Sequence, residues 1–260
     1  MGAGDDNSHK KSVRLYRKEP TMNHFTLIAH RGACLEEQED TLASLQLASD
    51  LGADVVECDP RMSKDGVLYI FHDNDLDRLA GDPSCVADLT FPEIKEKLAK
   101  AGKTVTTFDE LCANYTGKAA VLFDISVQNP DDALFKKLAA CPFEVIVGVH
   151  AVEEAKIAKK YFDTAHILAF MAGPALAEAY ADAGAGYIRL WENWLTETMI
   201  ADVKAVLPPD RKVVIMMCDC TVKHALYCMN GKPEHLDRLV SLGADGALLN
   251  DIRMGVAWRK

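Results

Sequence analysis

From residue 108 onward the chain alternates helix-like and strand-like segments without a break, and this alternation narrows the possible folds more than any other feature. FDELCANY precedes AAVLFDI, DDALFKKLAA precedes FEVIVGV, and AVEEAKIAKKYF precedes HILAF. PALAEAYADAG then precedes YIRLW, TETMIADVKAVL precedes KVVIMMC, and HLDRLVSLG precedes GALLN. Strands separated by helices of this length are joined as right-handed parallel units. Two earlier strand-like runs end at His30 and Asp59, which makes eight, enough to close an α/β barrel of the (β/α)8 TIM type. An open doubly wound sheet is the alternative. Against it, no glycine-rich loop follows the first strand, and the candidate acids lie on successive strands rather than at one crevice. A length of 260 residues, 49% of them hydrophobic, suits a single barrel.

Residues 1–20 are polar and mixed in charge and are expected to form a loose arm ahead of a barrel domain over 21–260. Asp40 or Thr41 opens a helix through Ala48 that stops near Gly52. Residues 67–72, VLYIFH, form a further short strand, and 74–104 hold loops and the helix-like FPEIKEKLAKAG, so an insertion of about 63–107 follows the second strand. The net charge of −10 argues against a nucleic-acid partner and leaves a small molecule as the expected one. No apolar run has the length of a membrane span, and the first twenty residues lack the apolar core of an export signal. Eight cysteines are scattered without a disulfide-framework spacing, Cys218 and Cys220 as a lone C-x-C without zinc spacing around it, so reduced thiols and a cytoplasmic protein are expected, with an exported one that has lost its signal as the alternative. The oligomeric state is left open.

Residues 28–73 carry the candidate chemistry in four pieces: IAHRG, EDT at 39–41, VVECDP at 55–60 and SKDGVLYIFHD. Side chains alternate across a strand, so Glu57 and Asp59 share one face and Cys58 takes the other. Two adjacent carboxylates repel each other, and a divalent cation removes that cost, which makes the pair candidate ligands for Mg2+ or Ca2+.

In order and spacing these pieces resemble the glycerophosphodiester phosphodiesterase family, with its H-R-G, E-N-T, E-x-D, K-D-G and H-D elements. His30, Arg31 and Gly32 match the first element, Glu39 and Thr41 the second with Asp40 in place of asparagine, and Glu57 and Asp59 the third. Lys64, Asp65, Gly66, His72 and Asp73 match the rest, and GADGALLN at 243–250 is similar to the family's closing segment. The resemblance implies one divalent ion held by Glu57, Asp59 and Asp124, a catalytic pair His30 and His72, and Arg31 on the substrate phosphate. Arg31 is equally suited to brace Glu39. Glu39 in turn is either a site residue or an acid capping the helix that follows.

Active sites of such barrels sit at the C-terminal ends of the strands, where Asp124, His150, Trp191 and Asp219 also fall. His150 matches no family position and either supports another group or faces substrate. Two departures stand out. The family's E-I-K on the third strand is Asp124, Ile125 and Ser126, a carboxylate also found on that strand of the related spider-venom phospholipases D, and the lysine's charge must come from elsewhere, with Arg189 and Lys223 as candidates. The family's W-T-V-N on the seventh strand is Met216, Met217, Cys218 and Asp219, with Trp191 the candidate replacement for the lost aromatic wall.

The function implied is metal-dependent hydrolysis of a glycerophosphodiester to a phosphomonoester, resembling sn-glycerol 3-phosphate, and an alcohol, by histidine acid and base. In the family the first nucleophile is thought to be a substrate hydroxyl, giving a cyclic phosphate that water opens. The alternatives are a barrel that binds phosphodiesters without turning them over, and a phospholipase D-like lyase that releases the cyclic phosphate.

Overall fold

The computed structural model describes residues 25–171, 173–217 and 231–260. Eight parallel strands close a barrel in the order β1 (Thr26–Ala29), β13 (Gly246–Leu249), β12 (Lys212–Met216), β11 (Tyr187–Trp191), β10 (Ile167–Phe170), β9 (Val145–Val149), β8 (Ala120–Asp124) and β2 (Val55–Cys58). The first and last strands are neighbours, with Thr26 opposite Gly246 and Ala29 opposite Leu249. Helices α1 (Leu42–Leu51), α4 (Phe108–Asn114), α5 (Asp132–Ala139), α6 (Val152–Ala158), α7 (Ala177–Ala183), α8 (Met199–Ala205), α9 (Pro233–Ser241) and α10 (Ile252–Arg259) alternate with them. No helix among the described residues is long and apolar enough to cross a membrane.

The strands are buried on both faces, which explains their continuous apolar runs. Ile28, Val55, Leu122, Ile146, Leu168, Phe170, Val214, Met216 and Leu248 fill the barrel. The alternate residues, among them Leu27, Val56, Val121, Phe123, Val147, Ile188 and Ile215, pack between barrel and helices. Parity therefore carries up each strand. Val55 points inward, so Glu57 and then Asp59 do as well, and Cys58 faces the outer core.

Between β2 and β8 the chain leaves the barrel. β3 (Pro60–Met62), β4 (Leu68–Ile70) and β7 (Thr106–Thr107) form a small antiparallel sheet beginning directly after Asp59. β5 (Asp75–Leu76) and β6 (Asp82–Cys85) flank the short helix α2 (Asp77–Ala80), and α3 (Phe91–Lys100) packs on the sheet. This excursion has a core of its own, Tyr69, Phe71, Leu76, Val86, Ile94 and Leu98, and so holds His72 at the end of β4 on a packed platform. Helix α3 is fixed at its start by Thr90, whose N–H donates to Glu93 Oε2 at 2.8 Å.

Two glycines are required by close approach. Gly32 has φ of +75°, and a Cβ there would lie 2.5 Å from the Ser44 backbone, so the turn after His30 lies directly on the first turn of α1. Gly148 on β9 gives its space to Phe170, whose ring would lie 2.3 Å from a Cβ.

Candidate active site

The polar side chains gather at the C-terminal rim of the barrel. Glu57, Asp59 and Asp124 each offer an oxygen, and these atoms all lie within 4.8 Å of one another. Glu57 and Asp59 are almost wholly buried, at 1% and 2% exposure. Glu57 Oε2 accepts from the Arg31 N–H at 2.8 Å, while Asp59 Oδ2 has no hydrogen-bond partner among the described residues. A fourth acid, Asp40, is buried beside them in the left-handed region, φ 56°, and its Oδ1 accepts from the Asp59 N–H at 3.3 Å. Burial and the neighbouring carboxylates push Glu57 and Asp40 well above the usual carboxylate range, and burial with the Asp124 charge pushes Asp59 up to about 6. Converging buried oxygens, one of them unpartnered, raised by mutual repulsion, fit a hard divalent cation.

His30 follows β1 and is buried. Its N–H donates to Leu249 O at 3.0 Å, and its Nδ1 lies 2.7 Å from Asn250 Oδ1. The amide oxygen accepts, which assigns the proton to Nδ1 and leaves Nε2 as a lone-pair acceptor. Burial, then the Arg31 charge, holds the imidazole well below 6.5. His72 is on the excursion and 40% exposed at its side chain. Its Nδ1 lies 2.7 Å from Asp73 Oδ1, Asp73 Oδ2 accepts from Arg78 Nε at 2.7 Å, and Arg78 Nη1 donates to Glu39 Oε2 at 2.9 Å. Glu39 Oε1 accepts from Arg31 Nη1 at 2.9 Å, and Arg31 Nε lies 3.8 Å from Asp59 Oδ2. Four charged groups, Asp73, Arg78, Glu39 and Arg31, thus link His72 back to the acid cluster. Asp73 is held down to about 2: burial works against this, and the bonds from His72 and Arg78 outweigh it. Arg61 Nε supports the same corner by donating to Phe71 O at 2.9 Å and His72 O at 3.1 Å.

Of the alternatives left by the sequence, Arg31 takes the bracing geometry against Glu39. Glu39 does not cap α1. Thr41 does, exchanging bonds with Ser44 at 3.2 Å, because its side chain is short enough to reach the first free N–H groups. His150 lies against a site carboxylate, Nε2 at 2.5 Å from Asp124 Oδ1, with its ring stacked on Phe170 at 5.2 Å. Burial opposes protonation of His150, and Asp124 more than offsets it, raising the imidazole above 6.5. Arg189 and Trp191 both point into the barrel from β11, and the guanidinium carbon lies 4.5 Å from the Trp191 ring centre. Ser126, where the family has its lysine, follows Asp124 by two residues. Asp219 and Lys223 lie outside the described residues.

Sequence reasoning did not single out Asn250, Arg78, Arg61 or Asp40 as site residues. Asn250 had a visible signal, a polar residue ending the last apolar strand, and Asp40 stood beside two matched positions.

A closed parallel barrel with an acid cluster and His30 at the C-terminal ends of its strands, and His72 on the excursion that follows β2, carries its polar groups at the face where α/β barrels hold their active sites. The family model of the glycerophosphoryl diester phosphodiesterase family matches residues 30–167, and the chain belongs to that family. It is similar to the probable glycerophosphodiester phosphodiesterase 1 of Mycobacterium tuberculosis, 41% identical over 78 residues that cover 30% of this chain and 28% of that protein. It also resembles human glycerophosphodiester phosphodiesterase 1, 36% identical over 74 residues, 28% of this chain and 22% of the human one. The matched stretches thus span less than a third of these curated relatives. Among solved structures, the fold is that of glycerophosphodiester phosphodiesterase from Thermotoga maritima, with a TM-score of 0.70 and 19% identity over 91% of this chain and 99% of that one. A phosphodiesterase from Oleispira antarctica, solved with the product sn-glycerol-3-phosphate, has a TM-score of 0.66 and 19% identity over 90% of this chain and 96% of that one.

Proposed function

We propose that the protein is a divalent-metal-dependent glycerophosphodiester phosphodiesterase, which hydrolyses its substrate to a phosphomonoester resembling sn-glycerol 3-phosphate and an alcohol. The observation that carries this reading is the convergence of the buried Glu57 and Asp59 with the half-buried Asp124 within 4.8 Å, beside a histidine whose Nε2 is free to accept a proton. Those three carboxylates would hold one Mg2+ or Ca2+, which supplies positive charge to a phosphoryl oxygen as the reaction proceeds. His150 donates to Asp124 and fixes that carboxylate's orientation.

Hydrolysis forms a bond from an oxygen nucleophile to phosphorus and breaks the bond to the departing alcohol. His30 is the base. It is neutral at pH 7, its Nδ1–H donates to Asn250 Oδ1, and its Nε2 takes the proton of the attacking hydroxyl. His72 is the acid, giving a proton from Nε2 to the leaving oxygen, while Asp73 at Nδ1 orients the ring. Arg31, braced by Glu39, adds fixed positive charge beside the acid cluster.

The test is hydrolysis of a panel of glycerophosphodiesters after chelation, and again with magnesium, calcium or manganese restored. Metal-dependent release of a phosphomonoester is the expected result. An accumulating cyclic phosphate would make the protein a lyase, and no turnover by folded, metal-loaded protein would make it a binding barrel.

A further inference from the structure

Arg189 is an anomaly for a barrel interior. It is 5% exposed and projects inward from β11, its guanidinium carbon 4.9 Å from the Phe170 ring centre and 4.5 Å from that of Trp191. The two rings cover it with apolar and π surface, but rings accept only weakly from N–H groups in the guanidinium plane. Nε and Nη1 are buried and find no hydrogen-bond acceptor among the described residues. A buried arginine with unmet donors destabilises the fold that contains it unless an anion completes the site. Burial lowers its pKa only to about 10, against the pull of Asp124, so the group is a cation at neutral pH.

The position of β11 supplies the second observation. From β2 the closed barrel runs to β11 in four steps through β1, β13 and β12, and in four through β8, β9 and β10. The cation, without an acceptor among the described residues for its Nε and Nη1, therefore stands on the wall opposite Glu57 and Asp59, with the rim between them. We infer that Arg189 is a substrate-binding residue: its Nε and Nη1 donate to the phosphate of the substrate from the wall facing the carboxylates, with Phe170 and Trp191 holding the guanidinium plane edge-on to that anion. A planar pair of N–H donors matches two oxygens of one phosphate group. The inference rests on the phosphodiesterase reading of the site and adds to it the group that holds the phosphate away from the acid wall.

Calorimetric titration of the full chain, loaded with manganese, with sn-glycerol 3-phosphate and separately with glycerol tests this. Arg189→Met is expected to weaken glycerol 3-phosphate binding at least tenfold and to raise the melting temperature of the ligand-free protein, because an unmet buried cation is replaced by an apolar chain of similar reach. Arg189→Lys, which keeps the charge but not the paired donors, is expected to lie between the two. A purely structural arginine would give the opposite pair of results, a lower melting temperature and unchanged affinity in the folded variant, and would overturn the assignment. Hydrolysis assays separate this outcome from the fate of the wider reading. Turnover by the wild type with full phosphate affinity in Arg189→Met sinks the arginine's role alone. Loss of phosphate affinity in Arg189→Met, beside a wild type that hydrolyses none of the panel, supports the arginine and sinks the phosphodiesterase.

Discussion

His30 and His72 approach the same rim on two different kinds of support. His30 is set into the barrel, its ring oriented by a neutral amide contributed by the last strand, and burial keeps it uncharged. His72 stands on the excursion, half exposed, and is oriented by a chain of alternating charges from Asp73 through Arg78 and Glu39 to Arg31. A neutral, buried support suits a group that must begin without its second proton, and an anionic, wetter support suits one that must begin with it. The barrel and the excursion therefore differ in the partner they give a histidine, a neutral amide against a carboxylate, as well as in position.

The largest effect tests what both supports have in common. Asp59→Asn, or removal of metal by chelation, is expected to reduce turnover to background on the best substrate of the panel, measured as phosphomonoester release. The next pair tests the division of labour. His30→Ala and His72→Ala should each lower kcat by roughly 10²–10⁴-fold, and single-turnover measurements on a substrate with an activated leaving group should restore His72→Ala but not His30→Ala. Equal rescue of both would end the assignment of base and acid made here.

Exchanging the supports gives smaller effects. Asn250→Asp would give His30 an anionic partner like that of His72, and the acid limb of the kcat/KM profile is expected to move up by roughly one pH unit, as an opposite charge in contact favours the imidazolium. Arg78→Met should lower kcat about tenfold with little change in KM, because Arg78 positions His72 through Asp73 and does not itself meet substrate. The smallest effect is on stability. Asp59 is raised to about 6 in the fold from an ordinary value of 3.8, so between these values the folded chain binds the extra proton and stability falls as pH rises. Metal-free protein is expected to lose on the order of 2 kcal/mol from this group between pH 4 and pH 7, followed by denaturant unfolding, and divalent metal should reverse the trend.

Most of the barrel was legible because its strands are short apolar runs with a helix between each pair, a pattern set by local composition. The inward direction of Glu57 and Asp59 was legible for a related reason, since strand parity carries upward from Val55. Partnerships across the fold were not. Asn250 reaches His30 across 220 residues and Arg78 reaches Glu39 across 39, and neither has a local signal that fixes its partner. Arg189 shows the same limit. Its inward direction follows from the parity of YIRLW, whereas the lack of an acceptor among the described residues depends on what other strands place around it.

The pairing of β1 with β13 orders events in time. Glu57, Asp59 and Asp124 all lie in the first half of the chain, so a ribosome has delivered every acid of the cluster long before it reaches Asn250. Until β13 docks, His30 has neither the Leu249 carbonyl for its N–H nor the amide that selects its tautomer. A nascent or C-terminally truncated chain thus carries the acids while His30 lacks both of these bonds, and on the proposed mechanism its base is oriented only once the final strand has docked.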